Sequence, residues 1–249
     1  MGAAAGPGDR RLRADVLLVE RGLFESRAKA QEAIAAGLVS AAGRVLSKAS
    51  EPLRPDAEIK ASAPYPYVSR GGVKLAAALD HFAYEPRGLA CLDVGASTGG
   101  FTDVLLRRGA AHVAAVDVGR GQLHPSLRAD PRVLSFEGAD IRAFDSQTLP
   151  EPPRFVVIDV SFIPLGLVLP PATALAGAPA TLVALIKPQF EAGPAHVSKG
   201  LVRDPAVRAA VCARLRKSAA ALGWRVDGVI ASPIAGGDGN LEFLLGARR

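Results

Sequence analysis

The chain has 249 residues, 49% of them hydrophobic, a formal net charge of +6 at pH 7 and only two cysteines. No apolar run is long enough to span a bilayer, and two cysteines are too few for a disulfide framework. The start of the chain also lacks the layout of a signal peptide. We therefore expect a cytoplasmic protein without a membrane partner, whose positive charge suits a polyanion such as RNA.

The N-terminal quarter of the sequence has its own pattern. Residues 1–9 are small and are predicted to be a flexible tail, whereas residues 10–60 are predicted to form a compact α+β unit. Apolar residues at near-helical spacing predict a first helix that stops at Gly22, and Ser26 is the expected N-cap of a second helix. Short alternating runs around a turn then predict a small sheet. Residues 61–69 contain two prolines and are predicted to be an interdomain linker.

From residue 70 onwards, strand-like and helical segments alternate. The strand-like runs are LACLDVGA, HVAAVDVG, VLSFEGAD, RFVVIDVSF, ATLVALIKP, WRVDGVIAS and NLEFLLGA. Such alternation predicts a mainly parallel sheet with helices on both faces. The last two runs are joined only by PIAGGDGN, which predicts an antiparallel hairpin. The predicted fold class of residues 70–249 is therefore α/β, with the Rossmann-like seven-stranded sheet and antiparallel last strand of methyltransferases.

A glycine-rich turn follows the first strand of this second domain directly. Glycines there allow the backbone to approach a ligand closely at the carboxyl edge of the sheet. The turn residues assigned to a cofactor are Gly95, Ser97, Gly99 and Gly100. The turn does not match G-x-G-x-x-G, so NAD(P) is weakly supported. Asp93, just before the turn, would repel a pyrophosphate but suits the cationic amino-acid end of S-adenosylmethionine.

Two further acids end the next two strands. Asp117 ends the second strand, where a carboxylate can accept hydrogen bonds from ribose hydroxyls, and Asp140 ends the third, near the expected adenine edge. Aspartates at strand ends are often helix caps or turn formers instead. Three such acids at successive strand ends, together with the glycine turn, favour the cofactor site.

Four polar residues at the edges of apolar runs are candidates for catalysis. Lys74 is predicted on the helix before the first strand, Asp159 and Lys187 at the ends of the fourth and fifth strands, and Glu242 in the last strand. Burying such groups is costly unless they are paired or functional. They could also be structural ion pairs or surface charges at element ends.

The same four residues favour methylation of a hydroxyl group. Enzymes that methylate amino groups usually carry an Asn/Asp-Pro-Pro-aromatic turn after the fourth strand, and the run DVSF at 159–162 lacks those prolines. A ribose 2′-hydroxyl is a poor acid, so a buried lysine could serve as its base or orient it. We expect Lys187 to lie nearest the chemistry, supported by Asp159, Lys74 and Glu242, with no metal required.

These motifs give the sequence a family resemblance. RLRAD at 11–15, SRAKA at 26–30 and GRV at 43–45 resemble the S-four-like RNA-binding domain. Residues 70–249 resemble FtsJ-type ribose 2′-O-methyltransferases, whose catalytic set is Lys-Asp-Lys-Glu in this order. With YVSRGGVKL, DVGASTGGFTD, DVSFI and KPQFE, the chain is similar to the TlyA, or hemolysin A-like, family. The resemblance implies methyl transfer from S-adenosylmethionine to the 2′-hydroxyl of cytidine in ribosomal RNA within ribosomal subunits.

The resemblance also implies which residues contact RNA. Arg11, Arg13, Arg27 and Lys29 of the first unit could meet phosphates, as could Arg70 near the active site. They could otherwise belong to a solvated helix face. Because little sequence follows the last predicted strand, we expect the large-subunit rRNA alone to be the target. We also expect the enzyme to be monomeric.

Two other classes of protein compete with this interpretation. An RNA-binding assembly factor could keep an inactive methyltransferase domain, but the intact Lys-Asp-Lys-Glu set and cofactor acids argue against it. A haemolysin-type membrane-active protein would need a signal, a spanning segment or a long amphipathic basic helix, and the sequence has none of these.

Overall fold

The computed structural model describes residues 11–236 and 239–249, so the tail predicted at 1–9 lies outside the described residues. The chain divides into two compact units, with the boundary between Pro66 and Tyr67. This boundary falls inside the segment that the sequence predicts as a linker.

The first unit combines two helices with short antiparallel strands. Its elements are β1 (Leu12–Arg13), α1 (Ala14–Glu20), α2 (Arg27–Ala35), β2 (Val39–Ala41), β3 (Arg44–Val45), β4 (Pro52–Leu53) and β5 (Ile59–Ala61). Strand β2 pairs with both β3 and β5, and β1 pairs with β4. Ser26 caps α2 by accepting a hydrogen bond from the backbone N–H of Lys29. The predicted helices and small sheet are confirmed, whereas the β1–β4 pair was not predicted.

A buried carboxylate fastens the two helices of this unit together. The Asp15 side chain, at the start of α1, is fully inaccessible to solvent. It accepts hydrogen bonds from Arg13 Nε at 3.0 Å, Arg27 Nη2 at 2.9 Å and Gln31 Nε2 at 2.7 Å. These donors, Arg13 foremost, hold the pKa of Asp15 far below its usual range despite burial. Two positively charged side chains are therefore fixed beside one buried negative charge.

A seven-stranded sheet forms the centre of the second unit. Its strands are β6 (Ala90–Val94), β7 (His112–Asp117), β8 (Val133–Glu137), β9 (Phe155–Ile158), β10 (Thr181–Ile186), β11 (Arg225–Ala231) and β12 (Phe243–Arg248). Their order across the sheet is β11-β12-β10-β9-β6-β7-β8. Strand β12 is antiparallel to both of its neighbours, and the other ladders are parallel. The predicted mainly parallel sheet with an antiparallel last strand is confirmed.

Helices cover both faces of this sheet. They are α3 (Gly71–Phe82), α4 (Gly100–Arg107), α5 (Pro125–Arg128), α6 (Leu165–Leu175), α7 (Pro188–Glu191) and α8 (Pro205–Ala221), with 3₁₀ turns at Ile141–Ala143, Ser146–Thr148 and Pro194–His196. Side chains of β9 alternate between the two cores: Phe155 and Val157 pack with α3 and α4, whereas Val156 and Ile158 pack with α6 and α8. This two-residue period leaves the strand buried on both faces.

Helix α6 was not predicted, because prolines interrupt its sequence. Pro170 and Pro171 lie inside it and remove two backbone donors. Leu165, Val168 and Leu169 are nevertheless fully buried against the sheet, and this packing offsets the lost hydrogen bonds. Although α6 is apolar, neither it nor any other helix in residues 11–236 and 239–249 is long and apolar enough to cross a membrane.

Replacing Asp15 by Asn should destabilise the first unit selectively. The amide retains the shape of the side chain but loses the charge that Arg13 and Arg27 share, at a cost of about 2 kcal/mol. Hydrogen exchange of peptides from α1 and α2 measures the loss. Asp56→Asn is the matched control, because the ion pair of Asp56 with Arg54 is exposed. Equal effects of the two changes would contradict the assigned role of Asp15.

Candidate active site

The carboxyl edge of the parallel strands collects the predicted catalytic residues. Asp159 directly follows β9, and Lys187 directly follows β10. The sequence predicts Glu242 inside the last strand, but in the structure it lies one residue before β12. Because β12 runs in the opposite direction and Ile186 pairs with Phe243, Lys187 and Glu242 are neighbours at this edge.

Lys74 reaches the same edge from helix α3. Its Nζ lies 2.5 Å from Oε2 of Glu242, and both side chains are buried, with 7% and 2% of their surfaces exposed. Gly236 packs tightly against Glu242, since a Cβ atom at Gly236 would come within 2.0 Å of Glu242 Oε1. The first pair of the cluster is therefore a closed, desolvated ion pair.

Lys187 and Asp159 form the second pair, which is more accessible. Their Nζ and Oδ1 atoms are 2.6 Å apart, with 11% and 20% of the side chains exposed. Lys187 also donates a hydrogen bond to Ser161 Oγ at 2.8 Å. Each lysine thus has its own carboxylate, and Lys187 is the lysine that a ligand at the sheet edge can reach.

The glycine turn after β6 is packed closely against other protein atoms. A Cβ atom at Gly95 would lie 2.3 Å from the Asp159 carbonyl oxygen, and one at Gly100 would lie 2.2 Å from Ser69 Oγ. At Gly99 (φ +94°) the contact would be with Leu127, at 2.2 Å. The close packing leaves no space for a side chain at any of these three glycines. Ser97 and Thr98 are the exposed residues of the turn.

Asp93 lies beneath this turn in a fully buried position in β6. Thr102 Oγ1 donates a hydrogen bond to its Oδ2 at 2.7 Å, while Oδ1 is buried without a hydrogen-bond partner among the described residues. Burial, reinforced by the charge of Asp159, raises the pKa of Asp93 to about 7. A buried acceptor with an unmet hydrogen bond is costly, so it points to a donor that the protein does not supply.

The two other acids predicted at strand ends make backbone contacts. Asp117 is the last residue of β7, as predicted, whereas Asp140 lies three residues beyond the end of β8, because the pairing with β7 stops at Glu137. Asp117 accepts hydrogen bonds from the N–H groups of Ser97 at 2.8 Å and Gly119 at 2.6 Å, so it ties the glycine turn to β7. Asp140 caps the 3₁₀ turn at 141–143 and pairs with Arg142 at 2.6 Å, which lowers its pKa. Within the described parts of the chain, no group of three or more His, Cys, Asp or Glu residues could hold a metal ion.

The residues predicted to contact RNA occupy different environments. Arg13 and Arg27 are bound to Asp15, yet about half of each side chain stays exposed. Lys29 pairs with Glu25, and Arg11 is exposed. In the second unit, Arg70 is exposed at the N-cap position of α3.

Phe162 belongs to the DVSFI motif, and the sequence predicts no role for it. Its side chain is 91% exposed although it is a large apolar group, and its backbone has φ of +64°, which is unusual for a non-glycine residue. The centroid of its ring lies 5.1 Å from that of Phe190, which is on the short helix α7 that follows Lys187. An exposed aromatic pair held beside the polar cluster is a candidate contact for a planar substrate group.

Glu191, the last residue of α7, connects the segments that carry Phe162 and Phe190. It accepts a hydrogen bond from the backbone N–H of Leu165, at the start of α6, and its other oxygen lies 2.9 Å from Arg214 Nη2 of α8. Only 2% of its side chain is exposed. Glu191 therefore fixes the segment after β9 relative to the segment after β10.

The sheet order, with its reversed last strand, is that of the Rossmann-like methyltransferases. The family model described as FtsJ-like methyltransferase matches residues 67–249, and the model described as S4 domain matches residues 12–59. This chain belongs to the FtsJ-like methyltransferase family and carries an S4 domain.

Known relatives match most of this chain. TlyA of Mycobacterium tuberculosis, named 16S/23S rRNA (cytidine-2′-O)-methyltransferase, is 45% identical over 96% of this chain and 90% of its own. TlyA of Campylobacter jejuni, named 23S rRNA (cytidine-2′-O)-methyltransferase, is 38% identical over 71% of this chain and 69% of its own. A solved structure with a hemolysin name, from Streptococcus thermophilus, is 41% identical, covers 96% of this chain and 88% of its own, and has a TM-score of 0.76. The predicted resemblance to the TlyA family is confirmed.

The stability of the ligand-free protein should depend on the charge of Asp93. Its pKa is raised from 3.8 to about 7, so the folded protein binds the Asp93 proton more tightly than the unfolded chain does. The resulting stabilisation is complete below pH 4 and is lost as the pH rises through 7. As the pH rises from 5 to 8, the free energy of unfolding of Asp93→Asn relative to the wild type should increase by about 2 kcal/mol. Urea unfolding followed by the fluorescence of Trp224, the single tryptophan, measures this difference.

Asp130→Asn is the control for this pH profile. Its hydrogen bonds with Arg132 lower the pKa of Asp130, so the residue stays ionised in both states across this range. The difference in stability between Asp130→Asn and the wild type should therefore be independent of pH from 5 to 8. A constant difference for Asp93→Asn as well would contradict the assigned ionisation.

Proposed function

We propose that this protein transfers a methyl group from S-adenosylmethionine to the 2′-hydroxyl of a cytidine in large-subunit ribosomal RNA. The observation that carries the proposal is the pair of lysine–carboxylate contacts at one sheet edge, Lys74–Glu242 and Lys187–Asp159. Both relatives described above have 23S rRNA in their names, which supports the choice of the large subunit.

The residues at the sheet edge are suited to the cofactor. Asp93 has a buried oxygen without a partner, which could accept a charge-assisted hydrogen bond from the α-amino group. Asp117 would hold the ribose and Asp140 the adenine, while the turn would enclose the methionine end. The assigned turn residues are Gly95, Ser97, Gly99 and Gly100. Bound there, S-adenosylmethionine supplies an electrophilic methyl group.

The catalytic residues would act on the ribose oxygen. Lys187 Nζ faces Asp159 Oδ1 at 2.6 Å, so Lys187 is suited to orient the 2′-oxygen and to stabilise the negative charge that develops on it. The hydroxyl proton would pass to water at this accessible edge as the C–O bond forms, and the methyl–sulfur bond would break to release S-adenosylhomocysteine. Asp159 and Ser161 hold the lysine in position. Lys74 and Glu242 fix the adjacent end of β12 and complete the electrostatic environment.

The substrate base would be held by the aromatic pair. Flat rings at an accessible edge stack with bases, and stacking tolerates any base because each has a π-face. Phe162 is accessible over almost its whole surface, and Phe190 supports it. Glu191 fixes the segments that carry the two rings, which would keep the stacked base next to Lys187.

The remaining chain would deliver RNA to this site. In the proposed organisation, residues 10–60 bind rRNA, residues 61–69 link the units and residues 70–249 carry the activity. Arg11, Arg13, Arg27 and Lys29, together with Arg70, would contact phosphates. The exposed halves of Arg13 and Arg27 suit that role, since Asp15 fixes their guanidinium groups in advance. The substrate would be a ribosomal subunit, met in the cytoplasm by a monomeric enzyme.

Methyl transfer from labelled S-adenosylmethionine to separated, undermethylated ribosomal subunits tests the proposal. The wild type should label the large subunit, and Lys187→Ala should lower kcat by roughly 10³-fold while its affinity for S-adenosylhomocysteine stays within about twofold. Lys187→Arg should not restore the rate, because a guanidinium has a different shape. Lys217→Ala, on the exposed side of α8, is the control. Unchanged transfer by Lys187→Ala would contradict the proposed role.

Phe162→Ala should weaken the RNA substrate without affecting the cofactor. Loss of one base-stacking contact is worth about 1–3 kcal/mol, so KM for the subunit should rise roughly 5- to 150-fold. Phe162→Trp should retain most of the affinity. Leu167→Ala removes another exposed apolar side chain nearby in sequence and serves as the control. An unchanged KM with Phe162→Ala would show that the ring does not contact the substrate.

A further inference from the structure

Arg120 has an exposed guanidinium at the sheet edge to which the cofactor is assigned. It lies three residues after Asp117 and forms no ion pair or hydrogen bond with any described residue. Other arginines of this region differ: Arg128 pairs with Glu137, and Arg142 pairs with Asp140. An arginine left unpaired among paired ones, at a ligand-binding edge, calls for a different contact.

The Arg120 guanidinium lies flat over Gly138, just beyond the end of β8. A Cβ atom at Gly138 would come within 2.6 Å of Arg120 Cζ, 2.7 Å of Nη2 and 2.8 Å of Nε. Three nearly equal distances mean that the plane of the guanidinium faces the bare Cα. Any larger residue at Gly138 would displace the side chain, so the glycine sets the position of Arg120.

The backbone beneath this contact is firmly held between β7 and β8. Gly138 donates its N–H to the Gly119 carbonyl at 2.8 Å, and Ala139 donates to that of Asp117 at 2.9 Å. Asp117 lies three residues before Arg120 and Asp140 two residues after Gly138, so the acids assigned to the ribose and the adenine are close in sequence to the two partners of this contact. Val118, with 71% of its surface exposed, adds an apolar side chain at the same point.

We propose that Arg120 binds the adenine ring of S-adenosylmethionine by stacking its guanidinium plane on the ring. A planar cation that rests on a glycine with one face leaves its other face for a flat π-system, and arginine stacks in this way whereas lysine does not. The exposed Val118 offers the apolar surface that an adenine also needs. This inference rests on the proposed cofactor and adds a residue that determines affinity for its adenosine end.

Calorimetric titration with S-adenosylhomocysteine and with 5′-methylthioadenosine, which lacks the amino-acid end, tests the inference. Arg120→Ala should raise Kd for both ligands by about tenfold, and Arg120→Lys should raise it nearly as much. Arg132→Ala is the matched control, because Arg132 is a half-exposed arginine at the opposite end of β8 that pairs with Asp130. Its Kd values should equal those of the wild type.

Each contrary outcome has a distinct meaning. If Arg120→Ala binds both ligands within twofold of the wild type, or if Arg120→Lys restores full affinity, the stacking contact is overturned while the proposed function stands. A loss of affinity for S-adenosylhomocysteine alone would also overturn it, because the contact would then be with the amino-acid end. Wild-type protein that binds neither ligand would overturn the proposed cofactor together with this inference.

Discussion

The buried ion pair between Lys74 and Glu242 is the interaction on which the rest of the second unit depends. Its partners are 168 positions apart, on a helix before the sheet and at the entry to its last strand. Two charges removed from water are tolerated only when each satisfies the other, and loss of one partner leaves the other buried and unpaired. The pair therefore couples correct insertion of β12 between β10 and β11 to the formation of the site. The same insertion brings Glu242 beside Lys187.

The cofactor edge combines well-satisfied groups with one that is not. Asp117 and Asp140 are occupied by backbone donors, so they are held in place before any ligand arrives. Asp93 differs, because burial without a full set of partners raises its pKa and costs folding free energy. A site that keeps such a group exchanges stability for affinity toward a cationic ligand. Arg120 belongs to neither class, since its plane is positioned by Gly138 rather than by a charge.

Much of the fold followed from the sequence, because strand–helix alternation and apolar runs are local signals. The location of Asp159 and Lys187 at one edge of the sheet was also predictable, since the carboxyl ends of parallel strands lie at the same edge. The pairing of each lysine with one carboxylate did not follow, because it depends on tertiary register. Nor did the burial of Asp15, which engages two arginines assigned to RNA alone. Phe162 is apolar and would be expected in the core, so its exposure could be seen only in the folded structure.

Mass spectrometry of nucleosides from treated ribosomal RNA tests the central claim most directly. The wild-type protein, S-adenosylmethionine and undermethylated large subunits are incubated together, and the RNA is then digested completely. The proposed function predicts 2′-O-methylcytidine as the new nucleoside, with only a background amount of it in reactions without enzyme. A methyl group on a base instead of a ribose, or no new methylated nucleoside from either subunit or free rRNA, would contradict the account.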